Sequence, residues 1–244
     1  MTGEETIDEL RRFDLRIAQP RDGYRFSLDP LLLADFAGVR DEESVIDLGT
    51  GCGVIPLVLA RQSVTARFVG VELQEEMAAL AARNVDLNGL SGRIEIVADD
   101  VTSLRNHYPV SSFDRVLANP PFRKPGSGRV SPRAGRDLAR HESTAGLADF
   151  LATAKYLVRP GGGISLVYHV SRLPELLSEA MTLKLAPVRL RMVHGNDRAG
   201  ARMVLIELTK GRRCDLQVLP PMLVYDRDGN YSEEVQSILG EREC

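Results

Sequence analysis

Asn119-Pro120-Pro121-Phe122 combines three residue types that could do chemistry together, directly after the apolar run Val116-Leu117-Ala118. An asparagine oxygen accepts hydrogen bonds, two prolines fix the backbone and remove N–H donors, and a phenylalanine offers a flat apolar face. At a strand end this set suits the grip of a planar group bearing an NH2. Beside a methyl donor, it suits methylation of an exocyclic amine. Asn119 and the Pro120 carbonyl would each accept a hydrogen from the amine and turn its lone pair toward the methyl group. Phe122 would stack on the planar group that carries the amine. The plainer alternatives are a turn asparagine before proline and a core phenylalanine.

A second constellation is Val45-Ile46-Asp47-Leu48-Gly49-Thr50-Gly51-Cys52-Gly53, a strand pattern running into a glycine loop and then a helix. The dinucleotide fingerprint G-x-G-x-x-G fails in both registers, at Val54 and at Pro56, and no P-loop lysine follows. Glu72, with Leu73 after it, closes the next strand pattern roughly 20 residues on, where a carboxylate can accept both ribose hydroxyls. The third strand pattern ends in Ala98-Asp99-Asp100-Val101, where Asp100 or its neighbour Asp99 can accept the amino group of an adenine. Asp47 would face a cationic amino-acid end. A donor with ribose, adenine and no phosphate fits this set, and S-adenosylmethionine is such a molecule. The expected cofactor-binding residues are Asp47, Gly49, Thr50, Gly51, Gly53, Glu72, Leu73, Asp100 and Asn119.

The elements that must position these residues alternate between short β-branched runs and helical patterns, which predicts βαβ units and a largely parallel sheet. Strands are expected at Val45–Asp47, Phe68–Glu72, Ile94–Ala98, Arg115–Ala118 and Ile164–Tyr168. Helices are expected at Val54–Gln62, Gln74–Asn88, Ala148–Leu157 and Leu173–Met181, with Asn88-Gly89 as a C-cap. Val188–Val193 and Met203–Thr209 are expected to pair antiparallel and complete the far edge of the sheet. Asp29-Pro30 is either a helix start or an approach to the amino-acid end of the cofactor.

At 244 residues the chain can bury a full core, and it fits one α/β domain better than two. Its formal charge of −3 neither requires nor excludes nucleic acid. Cys52, Cys214 and Cys244 lack metal-ligand spacing, which fits a reducing compartment. The acidic start, Met1 to Leu10, has no apolar core for a signal peptide, and no run reaches the roughly 18 apolar residues of a membrane span. A cytoplasmic protein without metal or membrane partner is the expectation, with oligomeric state open. Arg123, Lys124, Arg129, Arg133, Arg136 and Arg140 follow the tetrapeptide against the single acid Asp137. Such a block is either solvated surface or a phosphate contact beside the base pocket. A second basic region, from Lys184 to Arg213, includes Arg189, Arg191, Arg198 and Arg202.

The glycine loop, Glu72, the acids near Asp100 and the Asn-Pro-Pro-Phe tetrapeptide together resemble Rossmann-like, S-adenosylmethionine-dependent amino methyltransferases. Gly23 to Ala34 and Gly229 to Glu234 narrow the resemblance to the bacterial tRNA(Val) adenine-37 N6-methyltransferases, over nearly the whole chain. The resemblance implies a class I α/β fold, a mostly parallel seven-stranded sheet with helices on both faces. It implies one domain: a cofactor-covering segment 1–40, a core 41–210 and an extension 211–244. Asn119, Pro120 and Phe122 would be catalytic. Pro121, Phe122, Arg123, Lys124, Arg133, Arg136 and Arg140 would meet a tRNA substrate. The stretch Gly126–Arg136 departs from the family pattern. Methylation of a protein glutamine or of guanine N2 in ribosomal RNA, and a non-catalytic RNA-binding protein, are the rival expectations.

Overall fold

The computed structural model describes residues 5–21, 25–120 and 145–240. It opens with a hairpin, β1 (Glu5–Leu10) antiparallel to β2 (Leu15–Pro20), which forms its own two-stranded sheet. Alternation along β2 buries Leu15 and Ile17 and turns Arg16 outward. Sequence patterning did not separate this hairpin from the rest of the first forty residues. Next comes α1 (Asp29–Ala37), which starts with proline in its first turn and ends at Gly38 in the left-handed region.

The central sheet is built from β3 (Ser44–Leu48), β4 (Arg67–Glu72), β5 (Ile94–Ala98), β6 (Phe113–Ala118), β7 (Val158–His169), β8 (Leu185–His194), β9 (Ala201–Lys210), β10 (Gln217–Val218) and β11 (Met222–Leu223). Its order is β10-β8-β9-β7-β6-β3-β4-β5, with β11 also paired to β8. This corrects the expected seven strands to nine among the described residues. The added pair is two short strands from the C-terminal extension, so β8 does not end the sheet. Near-continuous apolar runs make β3, β4 and β6 because parallel strands are covered on both faces. The chain winds from β3 outward through β4 to β5, then returns to lay β6 on the other side of β3. That return creates a crevice at the carboxyl ends of β3 and β6.

Helices α2 (Val54–Gln62) and α3 (Glu75–Leu87) pack with α1 and the hairpin on one face, while α4 (Leu147–Leu157) and α5 (Leu173–Thr182) cover the other. The last helix, α6 (Glu233–Leu239), adds Val235 and Ile238 to the first core. β7 begins six residues before its expected start, through Pro160 and three glycines. The glycines have low strand propensity, yet close packing demands them: a Cβ at Gly162 would sit 2.5 Å from the Asp114 carbonyl oxygen.

Two arginines of the sheet seat α1. Arg115 pairs with Glu43 at 2.8 Å and donates to the Ala37 carbonyl at 2.9 Å. Arg189 pairs with Glu207 at 2.5 Å and donates to the Phe36 carbonyl at 2.5 Å. Arg191 is bound to Glu234 at 2.6 Å. Both Arg189 and Arg191 therefore serve the fold, which takes them out of the second basic region as phosphate contacts.

Candidate active site

The site lies where β3, β4, β5 and β6 end on a common edge. Register pairs Leu48 with both Val71 and Ala118, and Glu72 with Ala98, so the residues that follow gather around one crevice. The glycine loop turns through positive φ at Gly49, Gly51 and Gly53. At Gly53 a Cβ would also press to 3.3 Å from the Ala81 Cβ, so glycine lets α3 approach the loop. A Cβ at Gly51 would meet nothing within 4 Å, so that residue faces open space.

Glu72 is nearly buried and ties the loop to the neighbouring strand. Its Oε2 accepts the Gly51 N–H at 2.9 Å and its Oε1 accepts the Gln74 N–H at 3.0 Å. Each oxygen keeps a second acceptor position. Leu73 beside it is exposed. At the end of β5, Asp99 accepts the Asp100 N–H at 2.6 Å and meets His107 at 2.5 Å. Asp100 uses one oxygen to cap the following 3-10 turn, accepting both the N–H and the hydroxyl of Thr102 at 2.8 Å.

Five buried side-chain oxygens lack a hydrogen-bond partner among the described residues, Ser165 Oγ on β7 and four at this edge. The four are both carboxyl oxygens of Asp47, Oγ1 of Thr50 and Oδ1 of Asn119. Buried polar atoms are nearly always paired, so orphans gathered at one crevice mark a site that a ligand completes. Burial pushes the Asp47 carboxyl up to about 7; the Thr50 hydroxyl opposes the shift from nearby, without the geometry of a hydrogen bond, and Glu72 adds to it. Asp29, at the start of α1, is also pushed up by burial, against the Ser27 hydroxyl and the Arg202 charge.

The structure thus gathers Asp47, Gly49, Thr50, Gly51, Gly53, Glu72, Asp100, Asn119 and Pro120 on one edge. Pro121, Phe122, Arg123, Lys124, Arg133, Arg136 and Arg140 lie outside the described residues. Asn84 escaped the sequence reading. Fully buried on α3, it accepts the Ala18 N–H at 2.8 Å and donates to the carbonyls of Ala18 and Cys52 at 3.0 Å. Asn88, one turn later, accepts the Arg16 N–H at 2.9 Å and donates to the Arg16 carbonyl at 2.8 Å. The two amides pair with the free edge of β2 as a neighbouring strand would, and Asn84 joins that edge to the glycine loop. Spacing four residues apart puts the two asparagines on one helix face, but nothing local in the sequence names the strand edge they hold. Among the described residues no three His, Cys, Asp or Glu side chains come together as metal ligands, and no helix is long and apolar enough to cross a membrane.

Comparison with known proteins gives the same fold and narrows the family. Residues 29–182 match the family model for the methyltransferase small domain. A tRNA1(Val) (adenine(37)-N6)-methyltransferase of Porphyromonas gingivalis is 33% identical over 93% of this chain and 91% of that protein. Its counterpart in Aeromonas hydrophila is 27% identical over 87% of each chain. A crystal structure of a predicted O-methyltransferase from Agrobacterium tumefaciens superposes with a TM-score of 0.71 at 22% identity, covering 88% of this chain and 97% of that one, which speaks for the fold alone. The chain belongs to the methyltransferase small domain family and, within it, to the tRNA1(Val) (adenine(37)-N6)-methyltransferases.

Proposed function

We propose that this chain transfers a methyl group from S-adenosylmethionine to N6 of an adenine in RNA, the adenine at position 37 of tRNA1(Val). The observation that carries this reading is the buried, unpartnered Oδ1 of Asn119 at the carboxyl end of β6, beside the glycine loop that ends β3. Orphaned acceptors on both sides of the crevice fit a cofactor with an ammonium group and a substrate with an NH2.

When bound, S-adenosylmethionine supplies an electrophilic methyl group. Asp47 holds the ammonium of its amino-acid end, and Glu72 accepts the ribose hydroxyls while keeping the glycine loop in shape. Asp100 has one carboxylate oxygen left over from its cap and accepts the adenine amine of the cofactor. On the substrate side, Asn119 Oδ1 and the Pro120 carbonyl each accept one N–H of the target amine. The free amine is a poor nucleophile because its lone pair is delocalised into the ring, and two acceptors favour a pyramidal nitrogen. These hydrogen bonds strengthen as positive charge grows on nitrogen, so they stabilise the transition state more than the ground state. The nitrogen then releases one of the two protons to solvent. Phe122, three residues after Asn119 in sequence, stacks on the target base, and the arginines from Arg123 to Arg140 neutralise flanking phosphates.

The test is methyl transfer from labelled S-adenosylmethionine to total RNA from a strain lacking this gene, followed by nucleoside analysis. Label in N6-methyladenosine of the tRNA fraction is the expected outcome. Label in another nucleoside overturns the adenine assignment. Label only in a protein extract moves the substrate to a glutamine amide.

A further inference from the structure

The sheet order divides the carboxyl edge into two halves. The glycine loop and the acids at the ends of β4 and β5 occupy one half, and Asn119 just after β6 stands at the seam. The other half runs through β7, β9, β8 and β11. It carries His169 at the end of β7, then Arg202 next to Met203, which pairs with His169. Beyond the end of β8 comes a tight turn, 225–231, stitched to that strand by the Tyr225 N–H on the Gly195 carbonyl at 2.8 Å. A substrate that reaches Asn119 from the side away from the cofactor crosses this row.

The turn presents two aromatic rings. Tyr225 and Tyr231 stack with centroids 5.4 Å apart and planes 12° from parallel. Tyr231 packs against the core, whereas Tyr225 is 42% exposed, so its inner face is held and its outer face is open. The turn is ordered beforehand: Asp226 accepts the N–H groups of Asp228 and Asn230 at 2.9 Å each. Arg198 and Arg202 are exposed; Arg202 lies within electrostatic reach of the partly buried Asp29 at the start of α1, and neither arginine makes a direct ion pair among the described residues. Among the acids of this turn and of the turn joining β8 to β9, residues 195–200, Asp197 holds Arg227 at 3.1 Å and Asp226 holds its own turn, leaving only Asp228 uncommitted.

Resting on the RNA reading above, we propose that the outer face of Tyr225 is a stacking platform for an unpaired base flanking the target adenine, with Arg202 and Arg198 taking the phosphates in between. A ring held from behind has little freedom left to lose when a base lands on it, and stacking tolerates any base. Four strand spacings separate β6 from β11, about 19 Å at ~4.8 Å each, a span that several nucleotides of single strand bridge.

The experiment compares Tyr225→Ala and Tyr225→Phe in the full-length enzyme, reading KM for tRNA, affinity for S-adenosylhomocysteine and melting temperature. Tyr225→Ala should raise KM for tRNA by roughly 5- to 150-fold. Cofactor affinity and melting temperature should stay at wild-type values, and Tyr225→Phe should restore KM to within about twofold. Arg202→Ala should weaken tRNA binding and lower its salt slope by about one. An active enzyme whose Tyr225→Ala variant keeps wild-type KM overturns the platform alone. So does a Phe variant as weak as the Ala variant, or a KM rise matched by lost cofactor binding and a lower melting point. Wild-type protein that binds S-adenosylhomocysteine but neither binds nor methylates RNA overturns the substrate reading, and the platform with it.

Discussion

Asp47 and Asn119 sit at the ends of adjacent strands with the same defect, a buried acceptor without a donor, and each makes its own prediction. For Asp47, burial raises the carboxyl from its ordinary 3.8 to about 7. The folded protein therefore keeps a proton that the unfolded chain releases near pH 4. That contribution, up to about 4 kcal/mol, is intact below pH about 4 and is lost as pH rises to about 7. Asp47→Asn should flatten this loss in thermal melts taken between pH 5 and 8. The wild-type pH slope persisting in the variant would assign it to another group. An arriving ammonium needs the carboxylate, so wild-type affinity for S-adenosylhomocysteine should fall toward tenfold per pH unit below about pH 7. For Asn119, the amide meets the acceptor rather than the donor. Asn119→Ala should cut kcat by on the order of 10²–10³ while the cofactor binds as before, because the lost bonds strengthen in the transition state. Turnover near the wild-type rate would remove the amide from the mechanism. Both residues were legible in sequence because a glycine loop and an Asn-Pro-Pro-Phe tetrapeptide are local patterns. Their lack of partners was not, since that depends on what packs over them.

The elements fall into those that local pattern could locate and those that packing decided. α2 spans Val54–Gln62 as expected, because a glycine in the left-handed region starts it and its apolar run is uninterrupted. Asn88 caps α3 with Gly89 at φ 67°, also as expected. The second task of Asn88, with Asn84, was hidden: holding β2 requires contacts across 66 and 72 residues of sequence. Asn84→Leu would leave an N–H and two carbonyls unmet in a closed interior, each costing roughly 1–3 kcal/mol. We expect a melting temperature lower by on the order of 10 °C or more. Affinity for S-adenosylhomocysteine should weaken too, because Cys52 of the glycine loop loses its donor. An unchanged melt would show that water replaces the amide and that the clasp is dispensable.

At the scale of the whole molecule, the C-terminal extension is part of the fold rather than an appendage. β10 and β11 cover β8, Met222 is buried, and Val235 and Ile238 enter the same core as α1, α2 and the hairpin. Ending the chain at Lys210 should therefore lower the melting temperature by more than about 10 °C or leave the protein insoluble, as the deletion uncovers several buried apolar side chains and a strand edge. A truncated protein that melts within about 2 °C of the full chain would restore the picture of a core complete at Lys210.

The sequence by itself determined the alternation of strands and helices, the glycine loop, the acids that close β4 and β5 and the tetrapeptide after β6. Each follows from the conformational preferences of a few consecutive residues. Only the tertiary structure decided the nine-strand order, the clasp of β2, the inward use of Arg189 and Arg191, and the row from Asn119 past Arg202 to Tyr225. These are meetings of residues far apart in the chain, selected by burial and hydrogen-bond satisfaction across the fold, and no local pattern records them.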